Sequence, residues 1–266
     1  MNLRSGNAEL FYEVQGAGFP VVLLHPFPVT HAFWLPLTPM LSSRYRLLLP
    51  DVRAHGRSGI GQGAATMARY AEDLGQLLKA ESIKRAVFVG VSIGGYILFE
   101  FWRRYREQVA ALILANTRAT ADSEEGRTRR LKSIEEVQSH GPAGFLDVQV
   151  QSLVGETTRK NRPHIAGEAR KMMNSMRAEN IAAIQRGMAE RPDSVTTLKD
   201  ITVPTLILAG KEDTVTPLSD AELMRSNIAR SQLEIIDHAG HYAVFEYPQI
   251  CGRMIRQFLE LQNLSV

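Results

Sequence analysis

The feature that most constrains this chain is a series of short apolar runs, rich in branched residues and apolar throughout instead of alternating. They are Phe19 to Leu24, Tyr45 to Leu49, Ala86 to Val91, Ala110 to Ala115, Thr205 to Ala209 and Leu233 to Ile236. A strand that is apolar on both faces must be covered on both faces, which is the condition of a parallel sheet in an α/β protein. Between the runs lie helix-length amphipathic stretches, Met67 to Lys79, Ile93 to Tyr105, Leu218 to Ile228 and Ala243 to Leu259. The alternation predicts an α/β fold with a mostly parallel central sheet flanked by helices. The chain has 266 residues, 44% of them apolar and 22% charged. A chain of that size buries roughly 70–75% of its unfolded surface and needs no covalent staple.

One stretch breaks the rhythm. From about Thr120 to Ser194 no strand is expected, and Gly141-Pro142, Arg162-Pro163 and Arg191-Pro192 punctuate segments of helical length. The chain therefore divides into a core of residues 1–118 and 197–266 and an all-helical insertion of residues 119–196. Ligands in open α/β sheets bind at the carboxyl ends of the strands, so an insertion between two strands is placed to cap that end. The plainer alternative is a set of peripheral helices.

Cys251 is the only cysteine, which rules out an internal disulfide and a cysteine-based zinc site and fits a reducing, cytoplasmic setting. The first residues lack the apolar stretch of about 7–15 residues that a secretory signal needs. The most apolar window, Ala86 to Trp102, is interrupted by Gly90, Ser92, Gly94, Gly95 and Glu100 and is too short for a membrane span. The net charge is +3, with Lys and Arg interleaved with Asp and Glu and no basic block, so neither nucleic acid nor membrane is an expected partner.

The strongest local signal is Gly90-Val91-Ser92-Ile93-Gly94, which follows an apolar strand and opens a helix. In that context a G-x-S-x-G pattern makes a sharp turn that strains the serine and lifts its hydroxyl above the sheet. An N-cap serine would account for Ser92 but not for the two flanking glycines. Ser92 is therefore the candidate nucleophile.

On these residues the chain resembles the α/β-hydrolase family over essentially its whole length, with the helical insertion in the place of that family's cap. The resemblance implies the chain order serine, acid, histidine. It points to His241, through Gly240-His241 and the downstream Glu246-Tyr247-Pro248, as the base, and leaves His238 as a loop residue. The strand and loop from Thr205 to Pro217 resemble the family's strand-Gly-x-x-Asp-x-x-x-Pro arrangement and select Asp213, not the adjacent Glu212, as the acid. Leu24-His25-Pro26-Phe27-Pro28 resembles the His-Gly-x-Pro motif, with Pro26 replacing the glycine. The backbone amides of Phe27 and Ile93 are then the expected oxyanion donors. Proline at 26 removes an amide that is not the expected donor, and Pro28 biases Phe27 toward an extended backbone. His25 is expected to orient its loop. Asp51-Val-Arg-Ala-His-Gly-Arg-Ser resembles the family's Asp-x-x-Gly-x-Gly-x-Ser turn, with His55 in place of a glycine, and is expected to be structural.

A serine nucleophile disfavours dehalogenase and epoxide hydrolase chemistry, whose relatives use an aspartate there. The implied activity is hydrolysis of small to medium carboxylic esters, with no metal and no cofactor. Gly187-Met-Ala-Glu-Arg-Pro-Asp ahead of Val203-Pro204 is similar to the 3-oxoadipate enol-lactonase-like branch, which makes a lactone the alternative small-molecule substrate. Carbon-carbon bond hydrolysis, cofactor-free haloperoxidase or perhydrolase activity (on the resemblance at Pro28) and a non-enzymatic ligand receptor follow behind. In the insertion, Met172, Met173, Met176, Ile181, Ile184 and Met188 recur at near-helical spacing. Such a stripe is core more often than ligand surface, but Met172 and Met176, with Phe27, are the candidates to line a pocket. Arg127, Arg130 and Arg177 are candidates to meet a substrate carboxylate, although exposed helices carry such charges routinely.

Overall fold

The computed structural model describes residues 1–262 and 264. Its centre is an eight-stranded sheet in the order β1-β2-β4-β3-β5-β6-β7-β8. The strands are β1 (Asn2–Ser5), β2 (Ala8–Gln15), β3 (Phe19–Leu24), β4 (Tyr45–Pro50), β5 (Ala86–Val91), β6 (Val109–Ala115), β7 (Thr205–Gly210) and β8 (Ser231–Ile236). From β4 to β8 every pairing is parallel, while β1–β2 and β2–β4 are antiparallel. The interior strands are those whose sequences are apolar throughout: every residue of β5, β6 and β7 is buried.

The differences from expectation fall at the sheet margins. The antiparallel pair β1–β2 was not expected, because β2, Ala-Glu-Leu-Phe-Tyr-Glu-Val-Gln, mixes polar and apolar residues and β1 is very short. The run Leu233 to Ile236 extends back to Ser231 and is an edge strand, with Ile235 43% exposed, not a strand covered on both faces. The expected helix from Ala243 to Leu259 is two, Ala243–Glu246 and Pro248–Glu260. Pro248 disfavours the helical conformation of the residue before it, and Tyr247 accordingly sits at φ −130, ψ 58.

The helices of the core are α1 (Met67–Ala80), α2 (Ile93–Tyr105), α9 (Leu218–Asn227), α10 (Ala243–Glu246) and α11 (Pro248–Glu260). α1 packs on α2, and α2 on β5 and β6. Between β6 and β7 the chain is helical: α3 (Glu124–His140), α4 (Pro142–Leu153), α5 (Glu156–Asn161), α6 (Pro163–Met172), α7 (Ala178–Ala189) and α8 (Val195–Leu198). Pro142 and Pro163 are the first residues of α4 and α6, where the missing N–H costs nothing. α3 lies along α7, and α4 touches both α3 and α6, so these helices form a layer of their own. No helix among the described residues is long and apolar enough to cross a membrane.

Candidate active site

The parallel strands end on one side of the sheet, and the loops leaving β3, β5, β6, β7 and β8 carry Phe27, Ser92, Asn116, Asp213 and His241 respectively. Ser92 follows β5 directly with φ 54 and ψ −114, a conformation L residues adopt only under constraint. The constraint is visible. Its N–H donates to Ala115 O at 3.1 Å, and its carbonyl accepts from the Thr117 hydroxyl at 2.7 Å. A Cβ on Gly90 would lie 2.5 Å from Gly94 C, and one on Gly94 would lie 2.8 Å from Leu24 O, so the turn closes only with glycine at both positions. The Ser92 hydroxyl has no hydrogen-bond partner among the described residues and opens into a cavity of about 350 Å³.

His241 lines the same cavity and is 1% exposed. Its Nδ1 lies 2.8 Å from Asp213 Oδ2. Asp213 is satisfied on every side: Oδ1 accepts from the amides of Val215 and Thr216 at 2.8 and 3.0 Å, and Oδ2 accepts from the Thr216 hydroxyl at 2.6 Å and from Asn116 Nδ2 at 2.9 Å. Burial pushes the carboxyl pKa up, but His241 and the Thr216 donors outweigh it and hold Asp213 well below the usual carboxylate range. An ionised carboxylate at Nδ1 favours the tautomer that carries its proton on Nδ1, which leaves Nε2 as the acceptor nitrogen.

The backbone amides of Ile93 and Phe27 donate to no acceptor among the described residues. The Phe27–Pro28 bond is cis, which the sequence did not signal, and the Phe27 carbonyl accepts from the buried Tyr242 hydroxyl at 3.0 Å. Beneath this loop His25 Nδ1 donates to Pro26 O and Nε2 accepts from Val52 N, so the ring joins the loops after β3 and β4. Burial lowers its pKa to about 4 and that of His55, 4.9 Å away, to about 3. In the turn after β4, Asp51 accepts from the amides of His31 and Arg57, and Arg53 forms a fork on buried Asp73.

The helical layer is tied to both loops that carry Asp213 and His241. Glu246 accepts from the amides of Gly240 and Gly155 at 3.0 and 3.1 Å, Tyr242 N donates to Leu153 O at 2.9 Å, and Glu212 accepts from Thr157 N at 2.9 Å. Glu212 thus holds the layer and does not face His241, while His238 is exposed at the surface. These contacts had no sequence signal beyond Glu246 itself.

The cavity wall departs from expectation. Phe27 lines it, but Met172 and Met176 do not: Met176 is 3% exposed inside the core and Met172 packs against that core. Of the methionine stripe only Met188 reaches the cavity, beside Phe145 and Leu153 from α4. Arg130 lines it; Arg127 and Arg177 lie outside, Arg177 paired with Glu179 on the surface. Arg118, Asp122 and Arg129, which the sequence did not single out, complete the charged part of the wall. Among the described residues no cluster of three or more His, Cys, Asp or Glu could hold a metal ion.

A serine held at this turn over a mostly parallel sheet, with a carboxylate and a histidine delivered by later strand-end loops, is the arrangement of a hydrolase. The chain belongs to the α/β-hydrolase fold family, whose model matches residues 20–248. Among curated proteins it is 28% identical to 3-oxoadipate enol-lactonase 1 of Acinetobacter baylyi, over 86% of this chain and 84% of that one. Among solved structures it is similar to a thermophilic esterase from Thermogutta terrifontis with malate bound, at 36% identity and a TM-score of 0.93 over 97% of this chain and 95% of that one. The enol-lactonase from Burkholderia xenovorans LB400 shares the fold, with a TM-score of 0.91 at 22% identity over 98% of this chain and all of that one, 100%.

Proposed function

We propose that the chain hydrolyses carboxylic esters of small to medium size through an acyl-enzyme, with Ser92 as nucleophile, His241 as general base and Asp213 as the group that orients it. The observation that carries this reading is the 2.8 Å contact of His241 Nδ1 with Asp213 beneath the cavity into which Ser92 opens. His241 Nε2 takes the Ser92 proton as Oγ attacks the carbonyl carbon. Their hydrogen bond closes in the substrate complex, as such bonds often do only there. The amides of Phe27 and Ile93 hold the oxyanion, and protonated His241 passes its proton to the leaving alcohol. Water then attacks the acyl carbon by the same route and restores Ser92. The residues 119–196 act as a cap, whose α3, α4 and α7 supply the walls of the cavity. No step calls on a metal or an organic cofactor.

The similarity to an enol-lactonase supports a second reading, in which the same groups open a lactone. The test is turnover of p-nitrophenyl esters of increasing chain length beside a lactone panel that includes an enol-lactone, for the wild type and Ser92→Ala. Ester turnover with a chain-length optimum, lost in Ser92→Ala, is the expected result. Faster opening of lactones than of any ester would transfer the assignment to the second reading. Undiminished activity in Ser92→Ala would overturn both.

A further inference from the structure

The cavity above Ser92 carries an excess of charge of one sign. Among the described residues the cations in its wall are Arg118, Arg129 and Arg130, and the one carboxylate is Asp122. Asp122 does not balance them, because it is shared by three guanidinium groups. Oδ1 lies 2.8 Å from Arg118 Nη2 and 2.8 Å from Nη1 of buried Arg191, and Oδ2 accepts from Arg130 Nε. Other carboxylates nearby are Asp213 beneath the cavity, Asp220, which interacts with Arg118 and Arg191, and Glu125, close to Arg129 on the exposed side of α3.

The donors divide into spent and free. Arg191 is spent: it also donates to Met188 O and Thr120 O and stacks 4.3 Å over Tyr96. Arg130 Nη1 is bonded to Gln185 Oε1 at 2.7 Å, while its Nη2 has no partner among the described residues. Arg118 Nε is buried without a hydrogen-bond partner among the described residues, while Tyr96 interacts with the same guanidinium group. A buried guanidinium N–H left unpaired is costly unless an acceptor arrives. Asp122 and its arginines are held by one another, so the unused donors are already oriented before a ligand enters.

We infer that this wall binds a carboxylate carried by the substrate itself, on the acyl or the alcohol side of the ester that Ser92 attacks. The inference rests on the ester-hydrolase reading and names the substrate class for that site. Guanidinium groups present planar forks that match a carboxylate, which a lone ammonium does not. Arg118 borders Tyr96, and both line the same cavity as Ser92. The substrates that fit are half-esters of short dicarboxylic acids.

The kinetic test pairs the monoethyl esters of succinate, glutarate and adipate with ethyl butyrate, valerate and hexanoate, which have the same acyl lengths without the charge. The readout is the ratio of kcat/KM for the anionic ester to that for its neutral partner. The wild type should prefer the anionic ester in at least one pair, less so as salt is raised. Arg118→Gln should lower that ratio by about tenfold to a hundredfold, chiefly through KM, and Arg118→Lys should recover part of it. Arg177→Gln, on the surface outside the cavity, should leave the ratio at its wild-type value. Preference for the neutral ester in every pair, or a ratio that Arg118→Gln does not move, would overturn the inference.

Calorimetric titration of the Ser92→Ala protein with succinate, glutarate and adipate, against butyrate, reads the same site without turnover and without touching an arginine. Tighter binding of a dicarboxylate than of butyrate supports the carboxylate site, even should no ester be turned over by the wild type, in which case the hydrolase reading alone fails. Equal binding, with brisk turnover of neutral esters, removes the carboxylate site and leaves the hydrolase reading standing.

Discussion

Two buried carboxylates serve the same cavity and are held in opposite ways. Asp213, beneath it, is surrounded by neutral dipoles and one imidazole: two backbone amides, a hydroxyl, the Asn116 amide and His241. Asp122, in its wall, is surrounded by the full charges of Arg118, Arg130 and Arg191. Burial pushes both pKa values up, and in both the partners win, bringing Asp122 down to about 2 and Asp213 lower still. The difference lies in what is left over. Dipolar donors fix the direction of a carboxylate and leave its charge to act on one proton of one imidazole. Guanidinium groups cancel the charge of the carboxylate and leave a positive surplus facing the cavity.

The largest expected effect breaks the first arrangement. Asp213→Asn keeps the shape but puts an amide where an acceptor-only group stood, so Nδ1 of His241 loses its proton acceptor and the wrong tautomer becomes available. By analogy with other serine triads, kcat for a neutral ester should fall by about ten-thousandfold while the fold persists, as followed by circular dichroism and steady-state kinetics. A loss below tenfold would remove Asp213 from the proposed mechanism.

Asp122→Asn breaks the second arrangement, and its effect is on stability. Asp122 has a folded pKa of about 2, below that of an unfolded aspartate at about 3.9, so its contribution is fully present above pH 4 and is lost as pH falls toward 2. At neutral pH the variant should lose about 2 kcal/mol in urea unfolding, and the gap to wild type should close as pH drops from about 4 to about 2. A gap independent of pH over that window would mean that the guanidinium cluster does not depend on the Asp122 charge.

The same contrast shows what the sequence could reveal. Ser92 was legible because its turn demands glycine at positions 90 and 94, where a side chain would collide with Gly94 and Leu24. The parallel strands were legible because burial on both faces leaves no polar positions. The β1–β2 pair was not, since a strand on the sheet margin mixes polar and apolar residues as a loop does. The cavity wall was the least legible part. Helical periodicity identifies an apolar face but not its neighbour, so Met188 faces the cavity while Met172 and Met176 pack into the core. Arg118 and Asp122 lie between β6 and α3, where no periodic pattern marks them, and they acquire significance only when the fold brings Arg130 of α3 and Arg191 onto Asp122.

Thr216 sharpens the comparison from the side of the dipoles. Its hydroxyl donates to Asp213 Oδ2 at 2.6 Å and lies 3.4 Å from His241 Nδ1, so it limits rotation of the carboxylate toward a poorer angle. In the proposed mechanism it touches no reacting atom and serves as a positioning residue. Thr216→Val should lower kcat by about tenfold, the worth of one charge-assisted hydrogen bond, with KM little changed. Thr216→Ser should restore most of the rate. Equal losses in both variants would indicate packing by the methyl group instead of donation by the hydroxyl.

The smallest effect comes from a contact that involves no charge. The Tyr242 hydroxyl, buried beside His241, donates to the Phe27 carbonyl at 3.0 Å and so joins the histidine loop to the loop after β3. Burial raises the pKa of this phenol well above its ordinary value, so it remains a donor throughout the range in which the two carboxylates titrate. Tyr242→Phe should therefore cost about 1 kcal/mol, the net worth of a neutral hydrogen bond, and the cost should be the same at pH 4 and at pH 2, where that of Asp122→Asn has faded. Urea unfolding of the two variants across that interval separates the cases. A pH-dependent cost at Tyr242 would mean that the loop after β3 senses the state of a neighbouring carboxylate, and the two arrangements would then be coupled instead of independent.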